Sequence, residues 1–321
     1  MSTTASGLSL EQTSVLTRRI TRLSVSTALV LSAVKLAAWW FSGSVAMLAS
    51  LADSGLDVVA ALAAFFAVRY AVAPPDHEHR FGHGKAEAFA SLVQAGLVFA
   101  SAALVGREAV DRILHPQPIA YPIWGLGVMV LSIILTGALI WAQSRVLRQA
   151  QSVAVSGDRL HYFADLVSNL IAFAGIGAAA LLASPLPDAF GGLVVAALLV
   201  WGAIQVFRAS TVELMDHELD DEARQRIVAL VSADPRVRDV HQLRTRASGP
   251  YIHVQMHAEL DPTMTLVEAH KVMVAAEHRL LEAFPAADII IHPDPLGLAE
   301  PHGGAFAEDH EVETIGSADR A

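Results

Sequence analysis

Six membrane-spanning helices followed by a small α+β domain is the architecture this sequence predicts, and three observations lead to it. Hydrophobic residues make up 54% of the 321 and charged ones only 17%, with a mean hydropathy of +0.46, more apolar than ordinary soluble domains. Apolar runs of the ~20 residues that a bilayer requires recur before about residue 210 and cease after it. Beyond Thr211 the pattern becomes that of a soluble domain, with a strand-period alternation. The expected division is an N-terminal tail over 1–19, an all-α six-helix transmembrane domain over 20–210, an αββαβ domain over 211–296 and a disordered tail over 297–321.

The first span runs from Ile20 to Phe41, contains Lys35 and ends at Ser42-Gly43-Ser44. The second, Val45 to Val72, carries Asp53 and Asp57. A polar loop, Pro74 to Lys85, ends it with prolines and glycines. The third span is Ala86 to Ile113, closed by His115-Pro-Gln-Pro118, and the fourth is Ile119 to Leu147. The fifth, Asp158 to Ala183, carries His161 and Asp165, and prolines at 185 and 187 separate it from a sixth, Ala189 to Ala209.

Basic residues in short loops and flanks set the orientation. Arg18, Arg19 and Arg22 precede span one, Arg69, Arg80 and Lys85 lie between two and three, Arg145, Arg148 and Arg159 lie between four and five, and Arg208 closes six. Only Arg107 and Arg112 fall on the other side, so both termini are expected in the cytoplasm. No cleavable signal peptide is apparent, because the first apolar run is too long for one.

In the soluble part, helices are expected over Asp220–Ala233 and Thr265–Phe284, and strands over Val237–Thr245, Tyr251–Leu260 and Asp288–His292. Along the second strand Ile252, Val254, Met256, Ala258 and Leu260 alternate with polar residues. From Gly297 the tail is rich in Gly, Ala and acids, a composition that does not bury a core.

Several functions are disfavoured at once. There is no cysteine, so any metal site must use His, Asp and Glu. A formal charge of −10 with unclustered basic residues argues against nucleic acid. A zinc protease needs His-Glu-x-x-His, and His77-Glu78 has Phe81 in place of the second His. No enzyme and no organic cofactor are expected.

Asp53 and Asp57 sit one turn apart in an apolar run, and His161 and Asp165 repeat that spacing on the fifth span. An ionised acid near the middle of a span costs ~2.5–3.5 kcal/mol on insertion scales, so something must offset it. Four such side chains on two helices suit one tetrahedral ion. The competing account is a structural His161–Asp165 pair, or neutralisation of an acid by Lys35. In the polar loop Asp76, His79 and His83 are spaced to hold a second ion, with a solvated loop as the plain alternative. In the soluble domain His253 and His257 fall on the polar side of their strand by alternation, with His241, His270, His292 and Asp294 on neighbouring elements. Spacing alone does not separate this third cluster from ordinary surface histidines.

Leu51-Ala-Asp-Ser-Gly-Leu-Asp57, His161-Tyr-Phe-Ala-Asp165, the Asp76/His79/His83 loop and Leu214-Met-Asp-His-Glu-Leu219, in that order, resemble the cation diffusion facilitator family, most of all its bacterial zinc/iron efflux pumps of the ferrous-iron-efflux type. The resemblance runs from about Ile20 to Asp294. It implies a homodimer in the bacterial inner membrane that exchanges cytoplasmic Zn²⁺ for protons by alternating access. It implies that Asp53, Asp57, His161 and Asp165 form the transport site, and that Asp76, His79 and His83 form a loop site. His241, His257, His270, His292 and Asp294 would form a binuclear zinc site with a shared carboxylate, structural or regulatory. Lys85 and Asp216 match a pair that ties the dimer together. Pro293, between His292 and Asp294, is a position where relatives offer other side chains. A metal-gated proton or cation channel is the alternative, and an oxygen-rich transport site leaves Cd²⁺, Fe²⁺ and Mn²⁺ as competitors of Zn²⁺.

Overall fold

The computed structural model describes residues 10–42, 45–115, 123–150, 152–182 and 186–298. They divide into two units, Leu10–Met215 and Asp216 onward, each taken by itself below.

The first unit holds six helices: α1 Leu10–Ser42, α2 Val45–Ala71, α3 Ala86–Leu114, α4 Ile123–Leu147, α5 Val153–Leu182 and α6 Leu186–Leu214. Among the described residues α1, α2, α3, α4 and α6 are long and apolar enough to cross a membrane. Helix α5, 30 residues long, carries Asp158, Arg159, His161 and Asp165 in its first half.

Helix α1 starts ten residues before the expected Ile20. Thr13, Thr17, Thr21 and Ser24 form a buried stripe on it, and the hydroxyls of Thr17 and Thr21 donate to the carbonyls four residues back at 2.9 Å. Hydropathy counts these residues as polar, but Thr17 and Thr21 satisfy their hydroxyls on their own helix and the whole stripe packs inward. Helix α5 also starts early, at Val153, because Ser152 Oγ accepts from Val155 N at 3.2 Å as a cap. Asp158 therefore lies inside the helix and not at its mouth.

Small residues let the helices approach closely. Ala60, Ala64, Val68 and Ala71 make a fully buried row along α2. Between α3 and α6, Gly192 faces Ala109 so tightly that a Cβ there would meet the Ala109 Cβ at 3.0 Å.

The second unit runs α7 Asp221–Val231, β1 Asp239–Ser248, β2 Tyr251–Leu260, α8 Leu266–Ala283 and β3 Ala287–Pro295, the expected αββαβ order. Asp220 caps α7 by accepting from Ala223 N at 2.9 Å, and Thr265 with Glu268 forms a capping box on α8. The sheet order is β1-β2-β3, antiparallel between β1 and β2 and parallel between β2 and β3, the latter joined by α8. Ile227 of α7 and Val272, Ala276 and Leu280 of α8 bury the apolar face of β2, chiefly Val254, Met256 and Ala258.

Two irregularities position side chains. A bulge between His241 and Arg244, with Gln242 at φ 51°, sets His241 opposite His257. Strand β3 continues past its expected end at His292 to Pro295. It is an edge strand, where missing proline N–H groups are tolerated. Most of the tail expected to be disordered, with His302 and His310, lies outside the described residues.

Candidate metal centres

Three clusters bring together residues singled out from the sequence. In the helical unit Asp57 of α2 and His161 and Asp165 of α5 each place one ligand atom within 4.8 Å of the others. His161 Nε2 lies 2.9 Å from Asp57 Oδ1 and 3.9 Å from Asp165 Oδ2. Asp57 and His161 are buried and Asp165 is partly exposed, so the cluster is closed on one side and open on the other. Asp53 lies one turn earlier on α2, and its side chain is outside the described residues. Lys35 of α1 donates to Ser54 Oγ at 2.5 Å, next in sequence to that acid.

The loop between α2 and α3 folds around Asp76. Its Oδ1 accepts from the backbone N–H groups of Glu78 at 2.9 Å and His79 at 2.6 Å. The His79 backbone N–H holds the Asp76 carboxyl below the usual carboxylate range, which keeps it ionised. His79 Nδ1 and His83 Nε2 each lie 3.2 Å from Asp76, one on each carboxylate oxygen. Gly82, at φ 82°, makes the turn that returns His83 to the loop, where it is buried against Tyr70 with ring centroids 4.4 Å apart. The three ligand atoms lie within 4.8 Å of one another. His77 contacts Arg80 Nη2 at 3.4 Å instead.

In the sheet unit, register does the work. His241 pairs with His257 across β1/β2, and His257 with His292 across β2/β3, so three imidazoles form a row across all three strands. Asp294 joins them: its Oδ2 is 2.7 Å from His257 Nδ1 and 3.5 Å from His241 Nε2, and its Oδ1 is 3.4 Å from His292 Nε2. One carboxylate thus spans two sets of imidazoles. Burial lowers the His257 pKa, and the neighbouring imidazoles add to this against the opposing pull of Asp294, which favours the neutral ligand form.

His270 is exposed on α8 and does not belong to the group of His241, His257 and Asp294. His253, expected on the solvated side of β2, is buried and turned to Asp288, with Nδ1 to Oδ2 3.0 Å. Lys85 Nζ donates to the Leu214 carbonyl at 3.4 Å, and Asp216 lies 3.1 Å from Arg246 Nη1. The sequence does not single out three further buried acids, Glu87, Glu213 and Asp158, the last expected only as the first residue of a span. The signal for Asp158 is the spacing 158, 161, 165, one face of a helix.

Nitrogen and carboxylate donors without sulfur suit divalent transition metals. All three clusters fit such an ion in donor type and proximity.

The model of the cation efflux transmembrane domain matches residues 21–215, and that of the cation efflux protein cytoplasmic domain matches residues 219–296. A cation-efflux pump FieF of Shewanella oneidensis is 41% identical over 282 residues, covering 86% of this chain and 93% of the relative. One of Salmonella choleraesuis is 36% identical over 292 residues, covering 90% and 97%. The solved zinc form of CzrB, a proposed zinc transporter, has 31% identity, covers 26% of this chain and 98% of that chain, and has a TM-score of 0.25.

Proposed function

The chain belongs to the cation efflux, or cation diffusion facilitator, family of multi-pass membrane transporters, and on that premise we propose that it exports Zn²⁺ from the cytoplasm in exchange for protons. The observation that carries this reading is the buried contact of 2.9 Å between His161 Nε2 and Asp57 Oδ1, with Asp165 beside it. A metal ion needs that nitrogen unprotonated and those carboxylates ionised, so metal and protons compete for the same atoms. Two helices that each contribute ligands can present the site to either side in turn, with protons loading it as the ion leaves.

Asp53 completes the donor set in this proposal. Three carboxylates and one imidazole form a harder set than two imidazoles would, so Cd²⁺, Fe²⁺ and Mn²⁺ compete with Zn²⁺. The Asp76/His79/His83 loop binds a further ion. The row of His241, His257 and His292 with Asp294 binds two ions, and His270 joins it in the dimer. The protein works as a homodimer in the bacterial inner membrane, with both termini in the cytoplasm and Lys85 and Asp216 tying the assembly near the membrane face. The cytoplasmic cluster supplies docking energy or biases the membrane domain.

Reconstituted vesicles with a pH dye inside test this. Saturable zinc uptake with opposing proton flux, lost in Asp57→Ala, is the expected result. Zinc or proton flux that does not saturate, opened by zinc but with no fixed coupling between the two ions, favours a metal-gated channel instead.

A further inference from the structure

Asp158 has no role in the clusters above, yet it is a wholly buried acid in the helical unit. It precedes His161 by three residues on α5, on the same face of the helix. Its partners from other helices are all neutral. Gln143 Nε2 of α4 donates to Oδ2 at 2.8 Å, Gln94 Nε2 of α3 reaches Oδ1 at 3.5 Å, and Ser24 of α1 also bonds the carboxyl. The titratable groups that face it are Asp57 of α2 and His161 and Tyr162 on its own helix. Gln143 Nε2 is shared with Ser24 Oγ at 3.1 Å, and the Tyr162 hydroxyl donates to the Ser24 carbonyl at 3.0 Å.

The two amides around this acid are themselves buried, and each leaves its Oε1 without a hydrogen-bond partner. Gly157 makes room for one of them, since a Cβ there would sit 2.5 Å from Gln94 Oε1. As placed, the amides donate to Asp158 and suit its ionised form. Turning either terminal amide over would present an oxygen to a protonated Asp158, whose O–H then donates. The same side chains therefore supply partners for both protonation states, which a permanently neutral structural acid would not need.

An ionised carboxylate among neutral partners in a bilayer is costly unless a positive charge lies near. A divalent cation held one helical turn away is such a charge. We propose that Asp158 is a proton-binding site outside the metal cage, holding a proton while the cage carries no metal and releasing it as H⁺ to solvent when a divalent cation binds. Metal and proton are then linked reciprocally across one turn of α5. This rests on the assignment of Asp57, His161 and Asp165 as metal ligands.

The test is the number of protons released per zinc bound by the full chain in detergent, measured by calorimetry in buffers of different ionisation enthalpy. Asp158→Asn keeps the shape and hydrogen bonding of the neutral acid, and it should release fewer protons per zinc than the natural chain. The infrared carbonyl band of a buried carboxylic acid should disappear on zinc addition, be missing in Asp158→Asn and move in frequency in Asp158→Glu. Equal proton release in the natural chain and Asp158→Asn would overturn the proposal. If Asp158→Asn does not fold, a zinc-sensitive band that stays in place in Asp158→Glu, or no such band, would also overturn it. Failure of the ligand assignment is separate, because Asp57→Ala would then bind as many zinc ions as the natural chain.

Discussion

His161 Nε2 on α5 and Asp57 Oδ1 on α2 meet at 2.9 Å across 104 residues of chain, with both side chains buried. Removing one partner leaves the other polar group without its bond in an apolar setting, which costs on the order of 3–5 kcal/mol when the pair is charged. Asp57→Ala also deletes one carboxylate donor of the proposed site, and it should lower zinc affinity there by about 100-fold or more, as read by isotope binding at equilibrium. Affinity within a few-fold of the natural chain would remove Asp57 from the ligand set.

Selectivity should depend on Asp53. Asp53→His adds a second imidazole to the set and should depress Cd²⁺ transport more than Zn²⁺ transport in vesicles. Equal losses for the two ions would count against a donor-set origin of ion choice.

In the cytoplasmic unit Asp294 touches all three imidazoles of the row, whereas His292 touches only one of its oxygens. Chelation should lower the thermal midpoint of this unit, because metal binding contributes directly to its folding free energy. That shift should vanish in Asp294→Ala and persist, reduced, in His292→Ala. A midpoint indifferent to chelator in the natural chain would show that the row is not metal-dependent.

Much of this was legible in the sequence, for a physical reason. Asp57, His161 and Asp165 stand out because charge in an apolar run is costly, and β2 is legible because Val254, Met256 and Ala258 alternate against a single buried face. What escaped depended on partners distant in sequence or on backbone geometry. The early start of α1 rests on Thr17 and Thr21 bonding their own helix. The bulge at Gln242 carries no strong signal, since glutamine is not a residue that favours positive φ. Asp158 was hidden because the hydroxyl and amides that bury it come from α1, α3 and α4.

Asp234 gives a pH-dependent contribution with a definite sign. The Arg236 guanidinium, with Nη2 2.7 Å from Oδ2, lowers the Asp234 pKa to about 2 from an ordinary value of 3.8. The folded pKa is the lower one, so the stabilisation is present above the unfolded pKa and is lost as pH falls through 2. Asp234→Asn should accordingly loosen the turn after α7 at neutral pH and match the natural chain near the folded pKa. Amide hydrogen exchange over residues 232–238 would read this, and a difference that grows on acidification would contradict it.

Two glycines of the helical unit should respond oppositely to alanine. At Gly157 the added Cβ would lie 2.5 Å from Gln94 Oε1 and 2.9 Å from Ser91 Oγ, while at Gly96 nothing lies within 4 Å. Gly157→Ala should destabilise by roughly 1–3 kcal/mol through overpacking, and Gly96→Ala should stabilise by about 0.5–1 kcal/mol through helix propensity. Thermal unfolding in detergent distinguishes them. Two equal shifts would mean that Gln94 moves aside freely.

The prolines that end β3 decide what can happen along its free side. Ile252 N donates to Ala286 O and Leu296 N to Leu260 O, so the even-numbered residues of β3 turn their backbone groups toward β2. Pro293 and Pro295 then stand at outward positions, where the N–H groups that another strand would recruit are missing. Sheet extension at this end is blocked, and the segment that displays His292 and Asp294 is shielded from the edge-to-edge aggregation that open strands invite.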